Sequence, residues 1–78
     1  MNTKHVAQRV IAPRDPNGNS RTGWLIHEIH DLGFPVEFIT GYNDFKEADQ
    51  KYPDAVFLDY EIRVSATEYR NLKKEYTA

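Results

Sequence analysis

Residues 27–31, HEIHD, place two histidines and two carboxylates within five positions. A helix-borne zinc site of the H-E-x-x-H kind needs histidines four positions apart. Asp31 stands at the second of those positions, so the motif is broken. On a strand, His27 and His30 point to opposite faces and cannot share one ion. Histidines on a solvated face are the simpler reading, and no metal site is assigned. Nucleophilic catalysis has as little foothold. Cysteine is absent, and Ser20 and Ser65 fall in turn and helix-cap contexts. There is no G-x-S-x-G and no glycine-rich phosphate loop. Carboxylates are frequent in the middle of the chain, but they follow strand and helix faces as solvated charge does. No constellation satisfies the geometry of an enzyme site. The expectation is a protein that is not an enzyme and carries no cofactor.

Residues 52–62, YPDAVFLDYEI, resemble the phosphoacceptor strand of response-regulator receiver domains, with Asp59 in the acceptor position. The resemblance implies five strand–helix units and a later lysine and hydroxyl residue. Only 19 residues follow Asp59, and the first strand lacks the adjacent acidic pair that holds magnesium. Asp59 therefore reads as a water-facing residue of an alternating strand.

The stretch RDPNGNSRTGW, from Arg14 to Trp24, is a stronger candidate for function. Asn17-Gly18 is a strong hairpin signal. Arg14 and Arg21 flank it, Asn19 lies between them and Trp24 stands nearby. A two-stranded ribbon can enter a major groove, where arginine reads guanine. Three or four basic residues are too few for strong binding at physiological salt. A projecting tip that meets a protein fits better, against the plainer reading of a turn kept soluble by charge.

Charge is blocked along the chain. Residues 1–30 hold four basic and two acidic side chains, residues 31–62 two and eight, and residues 63–78 four and two. The acidic middle argues against a surface that grips phosphate throughout. It suits an acidic face for a basic partner, with Tyr42, Asp59 and Glu61 as second-choice contacts. Seventy-eight residues make one domain, residues 1–78, with a thin core and no disulfide to staple it. No apolar run approaches a membrane span, and MNTKHVAQRV lacks an apolar signal segment. A soluble, cytoplasmic protein with no membrane contact is expected.

The elements that must position these residues follow from local pattern. Residues 5–12 read as a strand. Residues 22–29 read as the returning strand. A helical alternative exists over residues 22–32, with Leu25, Ile26, Ile29 and Leu32 as a stripe and Gly33 and Pro35 at its end; it would make the fold α/β. Residues 36–42 alternate as a strand. Asp44 and Glu47 have the spacing of a capping box, with Phe45, Ala48 and Tyr52 on one helical face. Residues 55–64 alternate, with Val56, Leu58, Tyr60, Ile62 and Val64 expected inward. Ser65-Ala66-Thr67-Glu68 is a capping box for a closing helix with Tyr69, Leu72 and Tyr76 on one stripe. The expected fold is α+β. It is a small antiparallel sheet of about four strands with two short helices on one face, in the order β-β-β-α-β-α.

As a whole, RDPNGNSR, FITGY, KYPDAV and VSATEYRNLKKEY resemble a group of short uncharacterised bacterial and phage-type proteins. Those share a D-x-N-G-N-x-R turn, a G-Y motif and an E-Y-R-x-L-K tail. The resemblance spans residues 9–76 and implies a hairpin at Asn17-Gly18 in a stand-alone accessory protein. Gly23 inside the second strand and the Pro35-containing connection depart from it. The combined expectation is a protein-binding module that modulates or inhibits a host complex. A nucleic-acid-binding hairpin and a homodimer or other homo-oligomer subunit formed through an edge strand are the alternatives.

Overall fold

The computed structural model describes residues 4–76, and of Leu32 and Gly33 the backbone alone. The order is β1 (His5–Ala12), β2 (Arg21–Glu28), β3 (Asp31–Thr40), α1 (Asp44–Lys51), β4 (Val56–Arg63) and α2 (Ala66–Tyr76). This is an α+β fold with the expected element order. The helical alternative for residues 22–32 is overturned, because Arg21–Glu28 pairs along its whole length with β1. The Leu32 side chain that the stripe required lies outside the described residues.

The sheet order is β3-β2-β1-β4. β1–β2 and β2–β3 are antiparallel, but β4 joins β1 in parallel. The all-antiparallel expectation is thus corrected to a mixed sheet. The reason is topological. β3 and β4 occupy opposite edges and run the same way, so the segment holding α1 must cross the sheet between them.

That crossing also puts the helices on opposite faces rather than one. Side-chain alternation sends Ala7, Trp24, Ile26 and Ile39 to one face, where Ala48 of α1 closes the core with Tyr52 and Phe57. Val10, Ala12, Leu25 and Phe38 go to the other, under Tyr69, Leu72 and Tyr76 of α2. Two thin cores share one sheet, which is how a chain of this size buries strands on both sides. Gly23 makes room within the second core: a Cβ there would lie 2.6 Å from Phe38 Cε1.

The caps divide. Ser65 Oγ accepts from the Glu68 N–H at 3.1 Å and Glu68 Oε1 from the Ser65 N–H at 3.4 Å, so the expected capping box starts α2. α1 begins without a side-chain cap, and its N-cap is Asn43. Asp44 is instead buried against the sheet. β4 also departs from its alternation. A bulge sets Phe57 opposite Ala7 but Glu61 opposite Arg9, and the Gln8 Nε2 donates to the Tyr60 carbonyl there at 3.3 Å. Phe57 packs inward, whereas Val56, Tyr60 and Ile62 are exposed.

Candidate functional site

The hairpin loop, the β3–α1 corner and α2 meet at one end of the sheet. Between them lies a cleft of about 550 Å3. Arg9 and Thr22 rise from the central strands, Asn19 and Ser20 descend from the loop, and Thr40, Gly41 and Tyr42 form the opposite lip. Asp44, Tyr69 and Lys73 complete it. Gly41 has φ 117°, a conformation that favours glycine, and it turns the chain from β3 into α1.

The loop is a built structure. The Gly18 N–H donates to the Asp15 carbonyl at 2.9 Å and the Asp15 N–H to the Asn19 carbonyl at 3.0 Å. Only Gly18 takes positive φ, at 83°, so Pro16-Asn17 forms the corner and Gly18 the bulge residue. The hairpin is as expected, but its turn is not a two-residue Asn-Gly type. Asp15 organises it: Oδ1 accepts from the N–H of Asn17 and of Asn19 at 2.9 and 2.8 Å, and Oδ2 from Asn19 Nδ2 at 3.2 Å. These bonds, led by the Asn19 N–H, hold the Asp15 carboxyl below its ordinary value. Arg14 Nη1 donates to the Gly18 carbonyl at 2.9 Å and Arg21 Nη1 to the Pro13 carbonyl at 3.3 Å. Both arginines therefore clamp their own loop.

Arg9 anchors the cleft floor. Its Nη1 donates to Asp44 Oδ2 at 3.0 Å, and its guanidinium lies 5.0 Å from the Trp24 ring centroid. Thr22 Oγ1 also donates to Asp44 Oδ2 at 3.4 Å, and the Phe45 N–H to Oδ1 at 2.6 Å. Asp44, which reads as a cap in sequence, ties α1 to the sheet. The Tyr69 hydroxyl donates to the Thr22 carbonyl at 2.9 Å. Burial raises the Tyr69 pKa, as does the Asp44 charge, while Arg21 and Arg9 oppose the rise. All three charges therefore act at this one phenol.

Of the sequence candidates, Arg14, Asn17, Asn19 and Arg21 gather in the loop, and Asn19 reaches the cleft. Tyr42 stands on the far lip, 100 % exposed. Trp24 does not belong to the surface. It is 8 % exposed, packed edge-on to Phe57 and Phe45, so it serves the core. Asp59 and Glu61 lie on β4, outside the cleft, and Glu61 faces Arg63 at 3.7 Å. Sequence reasoning missed Arg9, Thr22, Asp44, Tyr69 and Lys73. The polar residues Gln8 and Arg9 interrupting an apolar β1 were the available signal for Arg9.

Among the described residues, no three histidine, cysteine or carboxylate side chains are grouped to hold a metal, and no helix is long and apolar enough to cross a membrane. His27 is buried on the α2 face, where its Nδ1 meets no hydrogen-bond partner among the described residues. Comparison with protein-family models, curated proteins and solved structures finds no match. The fold is a small α+β domain with a polar cleft at one end of its sheet.

Proposed function

We propose that this chain is a non-enzymatic protein-binding module, a small modulator or inhibitor of phage or mobile-element type that acts by covering a site on a host protein complex. The observation that carries the reading is Tyr42, wholly exposed beside a loop whose polar groups are already bonded to one another. An aromatic side chain held out in water is a characteristic contact residue. A loop that is ordered before binding loses little entropy on contact. The mechanism is occupancy: the loop and the Tyr42 lip form one rigid platform, and charge sets the encounter rate.

The same loop bonds bear on the nucleic-acid alternative. Arg14 and Arg21 each commit one donor to a loop carbonyl, and net charge is −2. The β4 bulge bears on edge-strand dimerisation, since a bulge blunts an edge against pairing.

Affinity capture from native host cells tests the reading. The wild-type chain is expected to recover one protein in stoichiometric amount. Tyr42→Ala should weaken that recovery by an amount typical of a hot-spot tyrosine, about 2 kcal/mol. Unchanged recovery of every captured protein by Tyr42→Ala and by the Arg14→Glu/Arg21→Glu double variant would reject this platform. Salt-dependent retention on DNA or RNA columns would favour the nucleic-acid alternative instead.

A further inference from the structure

The outer side of β4 pairs with no strand among the described residues, and Val56, Tyr60 and Ile62 stay exposed on it. The bulge takes the edge out of line between Phe57 and Glu61, which confines any added pairing to the stretch beyond it. There the ladder is regular, with Arg9 opposite Glu61, Val10 opposite Ile62 and Ile11 opposite Arg63. The Val64 N–H donates to the Ile11 carbonyl at 2.9 Å. Along a strand, successive residues direct their N–H and C=O to alternate sides. Ile62 and Val64 therefore direct theirs to β1, whereas Glu61 and Arg63 direct theirs outward. These outward groups are a template for one more strand. The opposite edge is a poorer template: β3 contains Pro35, which has no N–H, and its pairing with β2 shifts register twice.

The charges on this stretch select its occupant. Glu61 and Arg63 share one face of β4, with Arg63 Nη2 3.7 Å from Glu61 Oε2. A second copy laid antiparallel about a two-fold axis at Ile62 sets Glu61 opposite the copy's Arg63 and Arg63 opposite the copy's Glu61. All of these residues direct their backbone groups outward, so both are hydrogen-bonded pairs. Their side chains form a ring of alternating charge, which keeps the pair within each chain and adds one across each side of the axis. Ile62 meets its own copy on the other face and becomes covered. Moving the axis by one residue sets Glu61 against Glu61 or Arg63 against Arg63, so the charges favour a single register. We infer that the chain self-associates through β4 as a two-fold dimer, joining two four-stranded sheets edge to edge. No β4 residue lines the cleft, so the dimer carries the Tyr42 platform twice. Self-association is read on the purified chain, so it can fail while partner capture succeeds, and the reverse.

Sedimentation of the purified chain over a wide range of concentration tests this. The mass should rise from that of one chain to twice that value as concentration increases. Glu61→Arg alone sets arginine against arginine on both sides of the axis, and Arg63→Glu alone sets glutamate against glutamate. Each should weaken the dimer roughly tenfold or more, because two cross-strand pairs turn from attraction to repulsion. Glu61 and Arg63 are exposed, so neither change touches the core. Mixing the two variants restores opposite charges at every pair, and the mixture should associate about as tightly as the wild type. That recovery also shows both variants to be folded. Hydrogen exchange reads the register: the Glu61 and Arg63 amides should slow as the dimer forms. The inference is overturned if the wild type keeps the mass of one chain at every concentration, or if either single variant dimerises as tightly as the wild type. It is equally overturned if the mixture associates no better than its components, or if the Glu61 and Arg63 amides exchange as fast in the dimer as in the monomer.

Discussion

Gly23→Ala should destabilise this fold out of proportion to the methyl group it adds. Ordinary carbon–carbon contacts lie near 3.5–4.0 Å. The new Cβ would sit 2.6 Å from Phe38 Cε1, 2.7 Å from Cζ and 2.8 Å from the Ile39 carbonyl oxygen. Phe38 is 1 % exposed and packs edge-on to Tyr69, so its ring has no room to retreat. The Ile39 carbonyl belongs to the β3 backbone paired with β2, so it cannot move without disturbing that ladder. Overpacking of this kind costs about 1–3 kcal/mol, and two obstructions at once place the loss at about 2–4 kcal/mol. A smaller denatured-state gain, about 0.4–1 kcal/mol, opposes it. A domain of this length holds on the order of 4–12 kcal/mol, so the variant should lose a large share of its stability. Urea unfolding measures this as a lower midpoint at unchanged slope. In a double-mutant cycle, Phe38→Leu removes the ring clash but not the carbonyl clash. The double variant should therefore be less destabilised than the sum of the singles, by about 1 kcal/mol or more. Equal midpoints for Gly23→Ala and the wild type, within about 0.5 kcal/mol, would refute the packing argument.

Burial depresses the His27 pKa, so the folded state holds the neutral ring while the unfolded state takes up a proton below about pH 6.5. Stability should accordingly fall as pH drops below that value, and His27→Gln should flatten this part of the pH–stability curve. The Tyr52 hydroxyl donates to Glu37 Oε1 at 2.6 Å, and burial with the Glu37 charge pushes its pKa up to about 12. Its stabilising contribution is complete below about pH 10 and lost as pH rises towards 12; in an ultraviolet titration, Tyr52→Phe should remove a late-ionising tyrosine. Asp44→Ala breaks the Arg9, Thr22 and Phe45 contacts together. It should cost about 1–3 kcal/mol in thermal or urea unfolding, more than Asp49→Ala on the exposed side of α1, which should be nearly silent.

The parts of this fold legible in the sequence are those written in local chemistry. The β-branched and small residues of 5–12, the Pro-Asn-Gly cluster and the Ser65–Glu68 box each act within a few residues, and the strand, the hairpin reversal and the cap formed there, with the turn's corner at Pro16-Asn17. What stayed hidden depends on pairing at long range. Nothing local tells β4 to lie parallel to β1, or α1 to cross to the face opposite α2. With β4 at the edge and bulged, its apolar residues Val56, Tyr60 and Ile62 stay exposed although their spacing reads as a buried face. Asp44 shows the same limit from the polar side. Its residue type and spacing suit a helix cap, but Arg9, 35 positions earlier, claims its carboxylate. Trp24 reads as a contact residue by type and becomes core because α1 and Phe57 cover it. Glu37 is similar: burial opposes its charge, yet Lys51 and Tyr52 hold its carboxyl below the ordinary value.

The most direct test replaces Tyr42 with a photoreactive phenylalanine derivative and irradiates the chain with its captured partner. The same derivative at position 59 on the β4 edge serves as the comparison. Efficient crosslinking from position 42, with little from position 59, is the result this account predicts. Efficient crosslinking from position 59 and none from position 42 would contradict it, and would move the contact surface to the opposite side of the molecule.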